Sequence, residues 1–324
     1  MAAQLKWAAD RPLRSVFMGT PEFAVPSLEA LAACTELVGV VSQPDKPRGR
    51  GLAAAPSPVA ALASARGLPL IRPARVRDPD VLATLESWRP DLLVVAAYGR
   101  ILPPALLALP TLAPINVHAS LLPRHRGAGP IAAAILAGDP VTGITIMRMS
   151  EEMDAGDILL QQTVEIAPDD TTGTLTARLA VAGGRALAAA CACLRADGLE
   201  PRPQDLAAVT YAPRLTKEDG RIRWAEPAVV IARKVRAFTP WPSAFATLAG
   251  RTLKVLRARV ASVVLASDVA PGTVVALGDE IRVGTGVGAL DLLTVQAEGK
   301  RALDARAFIA GARLAVGARL DDGR

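Results

Sequence analysis

The chain has little aromatic surface: four Trp, two Tyr and five Phe in 324 residues. Its cores must be built of Ala, Leu and Val, and a hydrophobic share of 51% supplies them. Cysteine is limited to Cys34, Cys191 and Cys193, which excludes an even disulfide framework and offers no metal-ligand spacing. Cys191 and Cys193 stand two apart in an Ala-rich helical stretch, where their side chains diverge. All three read as small buried hydrophobes of a reducing compartment. Met1 to Arg14 lacks an apolar core of signal-peptide length. The longest uncharged run, residues 101–123, carries Pro103, Pro104, Pro110 and Pro114. These prolines break any membrane-spanning helix. A soluble, cytoplasmic, monomeric protein without a metal is expected.

Length suggests two domains, at about 150 residues each. The net charge of +6 is unevenly divided. Residues 1–215 hold 20 basic and 20 acidic side chains, whereas residues 216–324 hold 17 basic and 11 acidic. Such asymmetry points to a polyanionic partner or to a merely solvated basic surface.

Apolar strand runs alternate with helical periodicity through the first half. Strands are predicted at Arg14 to Gly19, Leu37 to Ser42, Leu70–Ile71, Asp91 to Ala97, Ile115 to Ala119 and Gly143 to Arg148. Helices are predicted between them, the first opened by Thr20-Pro21-Glu22 with Thr20 as its N-cap. Continuous rather than alternating apolar strands argue for a buried, mostly parallel α/β sheet. The first strand-helix turn, Met18 to Glu22, lacks G-x-G-x-x-G, which argues against a nicotinamide or flavin dinucleotide. A hairpin strand at Leu159 to Ile166 and a long Ala-rich helix at Thr174 to Leu194 follow. The first domain is placed at 1–197, an irregular linker at 198–215, and the second domain at 216–324. Short strand-like runs near 252–260, 272–276, 281–285 and 290–296 suggest a small antiparallel barrel, closed by a helix at Ala305 to Ala310.

The chemistry concentrates at Asn116-Val117-His118-Ala119-Ser120-Leu121-Leu122-Pro123. Asn116 and His118 are two apart on a predicted strand, so both point to one face. That strand ends there, and ligands bind at strand ends in open α/β sheets. His118 is one of two histidines in the chain. If Gly143 to Arg148 neighbours this strand, the loop after it opens at the same sheet edge and Asp154 approaches His118. A carboxylate there would stabilise the protonated ring, and Asn116 could donate to a developing oxyanion. Alternatively, Asp154 caps a turn and Asn116 pairs with backbone; spacing does not choose between these. Ser120 lacks the G-x-S-x-G surroundings of a nucleophile. The trio therefore suits direct attack of one substrate on another.

The run from Asn116 to Gly127 resembles the signature of folate-dependent formyltransferases, and Met153-Asp154-Ala155-Gly156-Asp157 resembles their second motif. Similarity to the members acting on methionyl-tRNA covers nearly the whole chain. It includes Phe17 to Ala24, Gln43 to Gly51, Thr210-Tyr211-Ala212, Lys217-Glu218-Asp219 and Arg236 to Pro242. The resemblance implies a Rossmann-like domain followed by an OB-like β-barrel. It implies formyl transfer from 10-formyltetrahydrofolate to the amino group of methionyl-initiator tRNA. It makes Asn116 and His118 the oxyanion stabilisers and gives Asp154 the task of orienting and charging His118. Ser120, Leu121, Leu122 and Pro123 would line the folate pocket. Lys46, Arg48, Arg50 and Lys217 would contact tRNA. Ala119, where glycine is frequent in the family, and Arg223, where an acidic residue is usual, depart from the pattern. Formyltransferases acting on glycinamide ribonucleotide or on amino sugar nucleotides would share the trio. The Gln43 to Gly51 loop and the basic second domain favour tRNA.

Overall fold

Two apolar runs, Arg14–Gly19 and Leu92–Ala96, lie side by side and parallel at the centre of a seven-stranded sheet. The computed structural model describes residues 3–8, 10–48, 53–263 and 268–323. It divides into two units: Met1–Pro130, Val141–Glu165 and Thr176–Ala212 form the first, and Ile131–Pro140, Ile166–Leu175 and Pro213–Arg324 the second.

The sheet of the first unit contains β1 (Arg14–Gly19), β2 (Glu36–Val41), β3 (Leu70–Ile71), β4 (Leu92–Ala96), β5 (Ala113–His118), β6 (Val141–Arg148) and β7 (Ile158–Glu165). Their spatial order is β7-β6-β5-β4-β1-β2-β3. The first five are parallel, in the 3-2-1-4-5 order of a Rossmann-like sheet. Val16, Phe17, Met18, Leu93 and Val94 are fully buried, as strands covered on both faces require.

Strand β6 runs antiparallel to β5, with His118 opposite Thr145 and Ile115 opposite Arg148. The sequence expectation, which opened the loop after β6 at the edge where His118 ends β5, is thereby corrected. The intervening helix, Pro130–Ala137, has eight residues. It spans about 12 Å, short of the about 20 Å that a return along six strand residues needs. The chain therefore enters β6 from the edge at which it left β5.

Thr20 is not a helix cap. Its hydroxyl donates to the Tyr98 carbonyl at 3.2 Å, and the helix Val25–Cys34 begins later, after a 3-10 turn at Glu22–Ala24. Pro26 lies in the first turn of that helix, where a missing N–H leaves no bond unmade. The Gln43 to Gly51 segment, expected as a loop, includes one arm of a two-stranded antiparallel ladder between Lys46–Arg48 and Ala53–Ala55. Among the described residues, Thr172–Arg195 is the one helix long and apolar enough to cross a membrane, and more than half of its apolar window is buried within the protein. Cys191 on it is buried, whereas Cys34 and Cys193 are half-buried.

The second unit holds an antiparallel sheet of β8 (Ala244–Leu248), β9 (Arg251–Val260), β10 (Val274–Leu277), β11 (Ile281–Gly284), β12 (Ala289–Ala297) and β13 (Leu320–Asp322), ordered β10-β11-β12-β9-β8-β13. Its two ends meet. Val274 N–H donates to the Ala318 carbonyl, Gly317 N–H to the Val274 carbonyl and Leu320 N–H to the Gly272 carbonyl, each at 2.8 Å. The sheet is thus a small barrel, filled by Trp224, Val255, Ile281, Leu292 and Val295. A helix absent from the sequence reading, Ala228–Ala237, packs on β9 and contributes Ile231 and Val235 to this core.

Candidate active site

Strand alternation sets Asn116 and His118 on one face at the C-terminal end of β5. The loop after β6 starts at the other end of β5, yet it folds back to bring Asp154 to them. Asn116 Nδ2 donates to Asp154 Oδ1 at 3.5 Å, and His118 Nδ1 lies 3.6 Å from Asp154 Oδ2. The turn that achieves this is tight. Asp154 adopts a left-handed backbone at φ 51°, and a Cβ on Gly156 would lie 1.9 Å from the Arg148 carbonyl oxygen.

Asp154 is anchored from a second direction. Its Oδ2 accepts from the Gly127 N–H at 2.8 Å, a charge-assisted bond. Gly127 has φ 117°, and a Cβ there would stand 2.6 Å from the Ala212 carbonyl oxygen. Only glycine meets both demands. Residues Arg126–Gly127 pair in parallel with Tyr211–Ala212, which holds Gly127 in register.

His118 is buried, and its Nε2 lies 3.1 Å from the His125 carbonyl. A carbonyl only accepts, so this bond requires the proton on Nε2. Burial holds the His118 imidazole below its ordinary range, outweighing the Asp154 charge and the His125 carbonyl, which act in the opposite direction. Burial thus favours the neutral form, in which a bare Nδ1 would turn to the carboxylate. Two acceptors face each other there, an arrangement suited to receiving a proton from a third group.

The segment after β5 is shaped from within. Ser120 is fully buried; its hydroxyl donates to the Arg124 carbonyl at 2.6 Å, and its carbonyl accepts from Thr145 Oγ1 at 2.7 Å. Leu122 is buried against Met147 and Ile158, with its N–H on Thr145 Oγ1 and its carbonyl on Gln161 Nε2. Ser120 and Leu122 therefore shape the loop rather than face out of it, whereas Leu121 and Pro123 keep partial exposure. Ala119 is buried. Lys46 and Arg48 fall in the short ladder, Arg50 lies outside the described residues, and Lys217 is exposed in the second unit, preceding the turn Glu218–Gly220. Among the described residues no three His, Cys, Asp or Glu side chains converge as a metal site would need.

Sequence reasoning missed several supports. Arg126 is buried and donates from Nε to Gln204 Oε1 at 3.0 Å and from Nη1 to Glu152 Oε1 at 3.4 Å. Its Nη2 has no partner among the described residues. Thr145, Gln161, Gln204 and Thr210 also hold the loops. Arg126 and Thr210 lie inside motifs quoted above, which was the one available signal; Thr145, Gln161 and Gln204 offered none.

Comparisons with known proteins bear on the family and the fold. The formyl transferase family matches residues 13–191, and the formyl transferase C-terminal domain matches residues 214–313. A methionyl-tRNA formyltransferase of Myxococcus xanthus is 47% identical over 309 residues, covering 95% of this chain and 97% of the relative. One from Anaeromyxobacter dehalogenans is 50% identical over 304 residues, covering 93% and 97%. Among solved structures, the sugar 3N-formyl transferase WlaRD, crystallised with dTDP and 5-N-formyl-THF, shares the fold with a TM-score of 0.65 at 15% identity, covering 90% of this chain and all of that one. HypX from Aquifex aeolicus, in complex with tetrahydrofolic acid, gives a TM-score of 0.60 at 19% identity, covering 93% of this chain and 47% of HypX. Fold and matched domains thus define a formyltransferase. At 47–50% identity over nearly the full length of its relatives, the chain belongs to the methionyl-tRNA formyltransferase family.

Proposed function

We propose that this protein transfers a formyl group from 10-formyltetrahydrofolate to the α-amino group of methionyl-initiator tRNA, acting as a cytoplasmic monomer without a metal. The observation that carries the reading is the convergence of Asn116, His118 and Asp154 at the end of β5 in a chain of this family. An α-amine titrates near pH 8, so a useful fraction is nucleophilic at neutral pH.

The amine nitrogen attacks the formyl carbon, and the carbonyl electron pair moves onto its oxygen. When the tetrahedral adduct collapses, the bond from carbon to the folate nitrogen breaks, and that nitrogen keeps the pair and gains a proton. The attacking nitrogen loses one proton in exchange. Neutral His118 receives the amine proton on Nδ1, beside Asp154. The resulting imidazolium and the Asn116 amide then stabilise the oxyanion. Asp154 charges His118 during the step rather than at rest.

Leu121 and Pro123 border the folate, on a loop whose shape depends on Ser120 and Leu122. The second domain, with its 17 basic against 11 acidic residues, receives tRNA phosphates together with Lys46, Arg48, Arg50 and Lys217. Closed barrels of this OB-like kind commonly bind nucleic acid.

The test incubates purified protein with 10-formyltetrahydrofolate and either charged initiator tRNA or small amine acceptors. Formyl-methionyl-tRNA should form with the tRNA, and His118→Ala should abolish it while the fold persists. Preference for a small amine would refute the acceptor; near-native turnover by His118→Ala would refute the mechanism.

A further inference from the structure

We propose that residues 199–212 form a strap that completes the catalytic site, and that Gln204 within it is the positioning residue for Asp154. The proposal rests on the reading of Asp154 as a catalytic group. In sequence this stretch looks like a linker, and it falls between the two matched family regions, 13–191 and 214–313. In the fold it belongs to the first unit, which runs through Ala212.

The strap is fastened on both sides of Gln204. Before it, Arg202 and Ile158 exchange backbone hydrogen bonds at 2.9 and 2.8 Å, where β7 begins. After it, Thr210 holds the signature segment: its carbonyl accepts from Arg126 N–H at 2.9 Å, and its hydroxyl accepts from His125 N–H at 2.8 Å. Between these points, buried Gln204 reaches the loop that presents Asp154. Its Nε2 donates to the Asp154 carbonyl and to the Gly156 carbonyl, both at 2.7 Å. Its Oε1 accepts from Arg126 Nε at 3.0 Å.

Every strong hydrogen-bonding direction that fixes this amide is used, and the orientation is forced: two carbonyls demand the NH₂ end, and a guanidinium demands the oxygen. The target is a residue that needs holding. Asp154 has a left-handed backbone, which a non-glycine residue keeps only when its surroundings impose it. Gln204 clamps that backbone while Gly127 N–H holds the carboxylate. Arg126 joins the two clamps, since it bonds Gln204 and directly precedes Gly127. Asp154 is thus aimed at His118 from main chain and side chain together.

The experiment measures steady-state formyl transfer by the full-length protein carrying Gln204→Ala, Gln204→Glu or Gln204→Met, alone and combined with Asp154→Asn. A displaced carboxylate should lower kcat about 100-fold, the scale of an ångström-sized misplacement, with KM for folate and tRNA held. Gln204→Glu, of equal shape, sets an acceptor against two carbonyls and should be as slow. Gln204→Met keeps the side-chain volume and carries the test if the alanine variant unfolds. Because Gln204 acts through Asp154, the double variant should be no slower than Asp154→Asn alone. Native-like kcat in the Met or Ala variant overturns the proposal, as does a loss that adds in full to that of Asp154→Asn. Absence of formyl transfer by the unchanged protein would instead remove the functional reading itself.

Discussion

Replacing Asp154 by Asn removes one negative charge at nearly constant shape. Asp154 Oδ2 lies 3.6 Å from His118 Nδ1, with the two side chains 16% and 6% exposed. At that separation the attraction between carboxylate and imidazolium is about 1 kcal/mol in a water-like medium and about 5 kcal/mol at an effective dielectric of about 20. With about 1.4 kcal/mol per tenfold in rate, kcat should fall between about 5-fold and about 3,000-fold. The low exposure argues for the upper part of that range. The amide also creates a local conflict. Its oxygen must face the Gly127 N–H, which leaves its NH₂ toward the Asn116 amide nitrogen. The assay is single-turnover formyl transfer with both substrates saturating, which separates chemistry from binding. KM for folate and tRNA should hold, and the variant should unfold at a temperature close to the parent's. Turnover within about two-fold of the parent would refute the charge argument. So would a loss that stays the same size in a His118→Ala background, because the two groups would then act independently.

Gly127→Ala should destabilise the protein by at least about 1–3 kcal/mol through its left-handed backbone, and by more through contact with the Ala212 carbonyl; an unchanged Tm and kcat would contradict this. Arg50→Ala should weaken transfer to tRNA and leave folate affinity intact, as read by KM for each substrate; an equal loss for folate would move that loop into the wrong site. The lowered His118 ionisation makes stability pH-dependent with a definite sign. Above the ordinary imidazole value of about 6.5 both folded and unfolded states carry a neutral ring, and the full contribution is present. As pH falls below it, the unfolded chain binds a proton that the folded site resists, so stability declines until the lowered folded value is reached. Urea titrations of parent and His118→Asn across this window should converge on acidification; parallel curves would argue against a buried neutral ring.

How far the sequence revealed this molecule depends on whether the signal was local. The central strands were legible because runs such as Val16-Phe17-Met18 can be satisfied only between two covered faces. The pairing of Asn116 with His118 followed from a two-residue spacing, and the strand bears it out. The direction of β6 was not legible, since an apolar run looks the same parallel or antiparallel; the length of the preceding helix decides it. The helix Ala228–Ala237 was legible but went unread: Ala228, Ile231 and Val235 recur at i, i+3 and i+7 and form its buried face. Gln204 carried no signal because its partners lie 48 to 78 residues away in the chain. Spacing does not report burial, which pushes His118 toward its neutral form.

The closure of the C-terminal barrel has a practical consequence for the chain's end. The matched C-terminal region stops at residue 313, yet the bonds that join the two ends of the sheet come from residues 317–320 meeting 272–274. A protein shortened to the matched region would lose that seam and β13 with it. Strands β8 and β10 would become open edges, each presenting unpaired N–H and C=O groups to any passing strand. Residues 317–320 thus act as a zip, and their removal would turn a closed sheet into one prone to edge-to-edge association.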